Sequence, residues 1–149
     1  MIGSTTNSIS EIDDRLIDCS LVEAVDKTAK GHLRLQTNFR YPDGSSIDLF
    51  IKKRNDLLDQ VEPILLTDFG NTSAWLSNLQ IYPNKSQRRS AFMSDILETY
   101  GVRNSSGNLE LSVEPGQLAA GLMKLGQSCL RLGHRLIKSH PNSNCSKFD

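Results

Sequence analysis

Three aspartates and one glycine bend are the residues of this 149-residue chain whose types and spacing first invite chemistry. Asp43 lies in Tyr41-Pro42-Asp43-Gly44, Asp48 in an alternating apolar stretch, and Asp68 in Leu65-Leu66-Thr67-Asp68-Phe69-Gly70. Carboxylates at strand ends and turns are the hard oxygen ligands from which magnesium sites of phosphoester-cleaving enzymes are built. Such an enzyme also needs a lysine near the metal, and Lys52 and Lys53 are close in sequence. A metal-dependent nuclease using Asp48 and Asp68 is therefore one reading. Each aspartate also has a sufficient structural role: Asp43 as a turn residue, Asp48 on the outer face of a hairpin, Asp68 as the cap of a following helix. The structural roles are favoured, and no catalytic set, metal or cofactor is expected.

Other catalytic arrangements find less support. The Asp68-Phe69-Gly70 triplet resembles that of protein kinases only superficially, because the phosphate loop, paired lysine and catalytic-loop signature are missing. His32, His134 and His140 lack metal-ligand spacing. Cys19, Cys129 and Cys145 are odd in number and form no C-x-x-C pair, which argues against a disulfide framework. No serine, threonine or cysteine sits in a nucleophile elbow.

Binding leaves stronger traces. Lys124, Arg131, Arg135 and Lys138 are spaced 7, 4 and 3 residues apart, which puts them on one side of a helix as a basic stripe. Such a stripe can contact phosphates or an acidic protein, although most charged helix faces are simply solvated. Lys85, Arg88 and Arg89 make a second cluster under the same reservation. On the other side, Leu118, Leu122, Leu125, Cys129, Leu132 and Leu136 follow the 4, 3, 4, 3, 4 spacing of an a/d seam. Ala119, Gly126 and Gly133 recur every seven residues beside it as a line of small side chains. The seam either closes over a sheet, the favoured reading, or joins two copies through Leu118, Leu122, Leu125, Gly126, Leu132 and Gly133.

The elements that must position these groups form an α+β pattern. Ser10 precedes a helix predicted over about 11–19. A strand is expected within 21–30. Leu33, Leu35, Thr37 and Phe39 then alternate with polar residues, as do Ile47, Leu49 and Ile51. With Pro42 and Gly44 between them, these runs predict a β-hairpin pairing about 32–40 with about 46–53. Pro63 opens an adjacent strand at Ile64-Leu65-Leu66-Thr67. Asn71 or Thr72 caps a helix containing Ala74, Trp75 and Leu76. A second helix starts at Ser86 and stops at Gly101. A small second hairpin turns at Asn104-Ser105-Ser106-Gly107-Asn108, and a long amphipathic helix follows Pro115. The expected architecture is a small antiparallel sheet, hairpin plus adjacent strand, packed against helices. A single domain over 10–139 would lie between flexible ends at 1–9 and 140–149.

Charge narrows the classes further. Formal net charge is zero, which speaks against a strongly cationic nucleic-acid binder and against an acidic DNA mimic. Residues 1–75 have 8 Lys/Arg against 12 Asp/Glu, or −4, and residues 76–149 have 9 against 5, or +4. A molecule polar from end to end, with a basic last helix, is one consequence. No secretory signal or membrane-spanning run is read from the sequence, so a cytoplasmic location is expected.

The order of motifs resembles a family known as domain of unknown function 1828. The matching features are Leu35-Gln36-Thr37-Asn38-Phe39, Tyr41-Pro42-Asp43-Gly44, Ile47-Asp48-Leu49-Phe50-Ile51 and Leu65-Leu66-Thr67-Asp68-Phe69-Gly70-Asn71-Thr72. Tyr100-Gly101-Val102 and Gly107-Asn108-Leu109 continue the match, which covers about residues 20–138. Where the family tends to have a serine and a second glycine around the aspartate, this chain has Thr67 and Phe69. The resemblance implies a prokaryotic or prophage origin and no established activity. Its setting suggests a small protein that modulates a host defence or replication component. The leading expectation is a non-catalytic module that binds a macromolecule, a protein before a nucleic acid, through the basic stripe and the Asp68, Gly70 and Trp75 corner.

Overall fold

The computed structural model describes residues 20–53 and 63–138. The helix expected at 11–19 and both expected flexible ends lie outside the described residues. The chain is α+β: β1 (Val22–Lys27), β2 (Leu33–Arg40), β3 (Ser46–Ile51), β4 (Ile64–Thr67), α1 (Asn71–Asn78), α2 (Gln87–Tyr100), β5 (Arg103–Ser105), β6 (Asn108–Val113) and α3 (Leu118–Lys138).

All six strands belong to one antiparallel sheet in the order β1-β2-β3-β4-β6-β5. The central hairpin forms where alternation and turn chemistry place it. Leu35 lies opposite Leu49 and Leu33 opposite Ile51. The turn closes with Gly44 N–H donating to the Tyr41 carbonyl at 2.8 Å, and Gly44 takes φ +90°, which a side chain would resist. The sheet is larger than the expected hairpin plus one strand, because β4 pairs on its far side with β6 and thereby joins the second hairpin to the first.

The sheet's inner face is apolar in period two: Leu33, Leu35, Ile47, Leu49, Ile51, Ile64 and Leu66 are all buried. Against it lies α3, whose seam of Leu118, Leu122, Leu125, Cys129, Leu132 and Leu136 is buried along its whole length. At about 1.5–3 kcal/mol per buried leucine, this helix is the largest single source of core stabilisation. The reading of Leu118, Leu122, Leu125, Gly126, Leu132 and Gly133 as a surface for a second copy is therefore corrected, because all six are buried. The sheet of the same chain already covers them.

The small residues have a local explanation of the same kind. A Cβ on Gly126 would stand 2.3 Å from the Phe39 ring, one on Gly121 2.4 Å from Val113 Cγ1, and one on Gly133 3.2 Å from Pro42. The three glycines let the helix backbone descend onto β2, β6 and the hairpin turn. A glycine costs about 1 kcal/mol in a helix interior, and this close packing offsets it. Ala119, which sequence spacing placed in the line, is exposed, and Gly121 takes its place.

Candidate functional site

Two regions draw on the residues singled out in the sequence. The first is the bend after β4. Asp68 is wholly buried. Its Oδ1 accepts the backbone N–H groups of Gly70 at 2.8 Å and Leu109 at 3.0 Å, while Oδ2 accepts that of Thr72 at 3.1 Å. One carboxyl group thus caps α1 and ties it to β6. Gly70, in the left-handed region, occupies the N-cap position with no side chain to offer, so the cap comes from Asp68 and not from Asn71 or Thr72.

Around this carboxyl the polar atoms are matched one to another. The Tyr41 hydroxyl and Thr72 Oγ1 share a hydrogen bond of 2.8 Å. Tyr41 stacks on Trp75, with ring centroids 4.8 Å apart and planes at 11°. The Trp75 indole N–H donates to Asp43 Oδ2 at 3.1 Å, and Asp43 Oδ1 accepts from the Ser45 hydroxyl and backbone N–H. The Ser45 hydroxyl, then its N–H, then the Trp75 indole hold the Asp43 carboxyl below its ordinary value. Burial pushes the Tyr41 phenol and the Cys129 thiol up. The carboxyl of Asp68 adds to the shift in Cys129, which stays a protonated, inert packing group.

Asp43, Asp48 and Asp68 do not converge. Asp48 points away from the helices, 3.8 Å from Arg34 Nε, which also lies 3.3 Å from Asp26. Asp68 faces the helices, and Asp43 sits in the turn. Among the described residues no group of three His, Cys, Asp or Glu side chains could hold a metal ion. Asp48 and Asp68, the candidate catalytic pair, therefore lie on opposite faces of the sheet. As a binding residue Asp68 is corrected as well, because it is inaccessible. Gly70 and Trp75 are half-buried, and their polar groups are engaged within the corner.

The second region is the outer surface of α2 and α3, which pack side by side. Lys124, Arg131, Arg135 and Lys138 are all exposed there, as the spacing predicts. Lys124 to Lys138 spans about 21 Å of helix. The structure adds two aromatic rings from α2, Phe92 and Tyr100. The Arg135 guanidinium lies 4.8 Å from the centroid of Phe92, and Arg88 approaches the same ring at 5.5 Å. Arg131 lies 5.9 Å from the Tyr100 ring, and both rings are only half-buried. Cation–π attraction of about 0.5–1 kcal/mol at such exposed positions holds the guanidinium planes without consuming their N–H donors.

Among the described residues no ion pair involves Arg88, Arg131, Arg135, Lys124 or Lys138. Three arginines thus gather on two rings with no described carboxylate in contact. Arg135 and Lys138 complement the dipole at the C-terminus of α3, but Arg88 stands in the first turn of α2, where the dipole disfavours a cation. One signal for the ring contacts was present in the sequence, the i, i+4 spacing of Arg88 and Phe92. The contact of Arg135 with Phe92 crosses 43 positions and has no local trace.

A model of the family DUF1828, a domain of unknown function, matches residues 37–132. The chain belongs to this family. The DUF1828 match begins within β2 and ends within α3, so it includes the hairpin turn, the Asp68 corner and most of the cationic helix, while β1 lies outside it. It is narrower than the 20–138 expected from the order of motifs. A search of curated proteins and one of solved structures each gave no match. One departure from the family pattern gains a physical meaning. Phe69 stands where a glycine is expected and has φ +50°, and its ring packs 4.8 Å from Phe50 and 5.0 Å from His32. Those ring contacts offset the cost of a left-handed backbone at a bulky residue. Among the described residues no helix is long and apolar enough to cross a membrane.

Proposed function

We propose that this protein is a non-catalytic macromolecule-binding module whose binding face is the exposed α2–α3 surface. The observation that supports it is the gathering of Arg88, Arg131 and Arg135 on Phe92 and Tyr100 with no carboxylate in contact among the described residues. Surface arginines usually gain from a nearby acid, and among the described residues none meets the donors of these three. The setting we propose, on family resemblance, is a phage or mobile element, with a cytoplasmic defence or replication component of the host as the target.

The reading of a metal-dependent nuclease draws no comparable support, because Asp48 and Asp68 face apart. The two are separated by one pair of measurements on the full chain. Plasmid DNA and RNA incubated with Mg²⁺ or Mn²⁺ are expected to stay intact. Amide chemical shifts on titration with polyanions are expected to move around Phe92, Tyr100 and Arg135. Metal-dependent cleavage lost in Asp48→Ala, with no shifts on α2 or α3, would overturn the binding module.

A further inference from the structure

We infer that the ligand of the α2–α3 face is an acidic amphipathic protein segment, one that presents carboxylates next to apolar side chains; this rests on the reading of that face as the binding surface.

The choice among polyanions follows from three features. The central cations are arginines, whose planar forks accept a carboxylate or phosphate in two-point fashion. That alone does not discriminate. Under the guanidinium groups, however, lie the half-buried rings of Phe92 and Tyr100. A segment with leucine or phenylalanine beside its acids covers both charge and ring edge, whereas a duplex, its bases stacked inside, offers its sugar–phosphate backbone to the charge only.

The electrostatics of the remaining surface points the same way. The chain has a formal net charge of zero and a pI of about 6.8. Asp26, Asp48 and Glu110 stand on the sheet face opposite the helices, close to Arg34 and Arg103. Nucleic acid, a long polyanion, therefore meets no attractive field beyond the Debye length of about 8 Å. A short acidic segment laid along α3 meets only the ridge. Arg131, Arg135 and Lys138 stand at i, i+4 and i+7, about 10 Å along the axis. A helix with glutamates at the same spacing sets one carboxylate against each cation.

Fluorescence anisotropy on the full chain at physiological salt tests this with three labelled probes. They are a peptide of about 20 residues with Glu at i, i+4 and i+7 and flanking leucines, a single-stranded RNA of about 20 nucleotides, and a duplex DNA of about 20 base pairs. The peptide is expected to bind at least about tenfold more tightly than either nucleic acid. Reversing both charges (Arg131→Glu with Arg135→Glu) is expected to weaken it by more than about tenfold, and replacing the leucines of the peptide by serine several-fold. Arg135→Lys, which keeps the charge and removes the fork, is expected to weaken it measurably. Circular dichroism melts of each variant show whether the fold is retained. Equal or tighter binding of RNA or DNA, falling steeply with salt, would overturn the acidic-segment assignment and leave the binding face standing. Binding by none of the three probes would overturn both.

Discussion

The Asp68 corner and the arginine ridge are both dense in polar side chains, and they differ in where those groups find partners. At the corner each acceptor is met from within the chain: three backbone N–H groups on Asp68, Thr72 on Tyr41, Trp75 and Ser45 on Asp43. On the ridge the guanidinium groups touch ring faces and no described carboxylate. The difference teaches that polar density by itself does not mark a site. A closed hydrogen-bond set builds architecture, and an open one leaves donors with which a partner of the kind proposed above could pair.

The comparison breaks most easily at its closed end. Asp68→Ala leaves three backbone donors without their acceptor, two of them buried, and is expected to cost about 3–5 kcal/mol in denaturant titrations. A loss below about 1 kcal/mol would show that the corner is not what ties α1 to β6. The next effect concerns packing under α3. Gly126→Ala forces the Phe39 ring to move and is expected to cost about 1–3 kcal/mol, while Ala119→Ser on the exposed side should change stability by less than about 0.5 kcal/mol. Equal effects would mean that Phe39 is free to yield.

Alkaline titration probes the same interior. Tyr41 and Cys129 have their proton affinities raised by burial from ordinary values of 10.0 and 9.0, so the folded state keeps protons that the unfolded chain releases. Stability from both groups is therefore full below about pH 9 and declines as pH rises above it. Tyr41→Phe and Cys129→Ala should each flatten that decline, and a slope unchanged in both would remove these groups as its source. The smallest effect belongs to the open end. Arg131→Gln should shift stability by no more than about 1 kcal/mol, since one exposed cation–π contact is lost. A larger loss would make the ridge part of the scaffold.

Sequence alone resolved the features governed by neighbours in the chain. The β2–β3 hairpin, the Ser86 cap, the Gly101 stop and the amphipathic seam depend on period and turn chemistry acting within a few residues. The four cations of α3 were placed on one exposed side by helical spacing for the same reason. Three things depended on distant partners and were not legible. The union of the two hairpins needs β4 to find β6. The burial of Asp68 needs Leu109 to reach back across 41 positions. The exposure of Phe92 and Tyr100 depends on how far α3 covers α2, which an apolar helical period does not specify.

The position of β4 has a kinetic consequence. Five residues, 41–45, separate β2 from β3, whereas forty, 68–107, separate β4 from β6. Closing the longer connection costs about 2 kcal/mol more in chain entropy, and helix α1 and helix α2 must be accommodated within it. Each hairpin can zip by local search, but their union waits for a four-residue strand to be flanked on both sides. Until then the inner faces of both hairpins have no common floor for α3 to cover. The floor on which α3 rests, and with it the ridge proposed to bind, is complete only once β4 has joined the two hairpins.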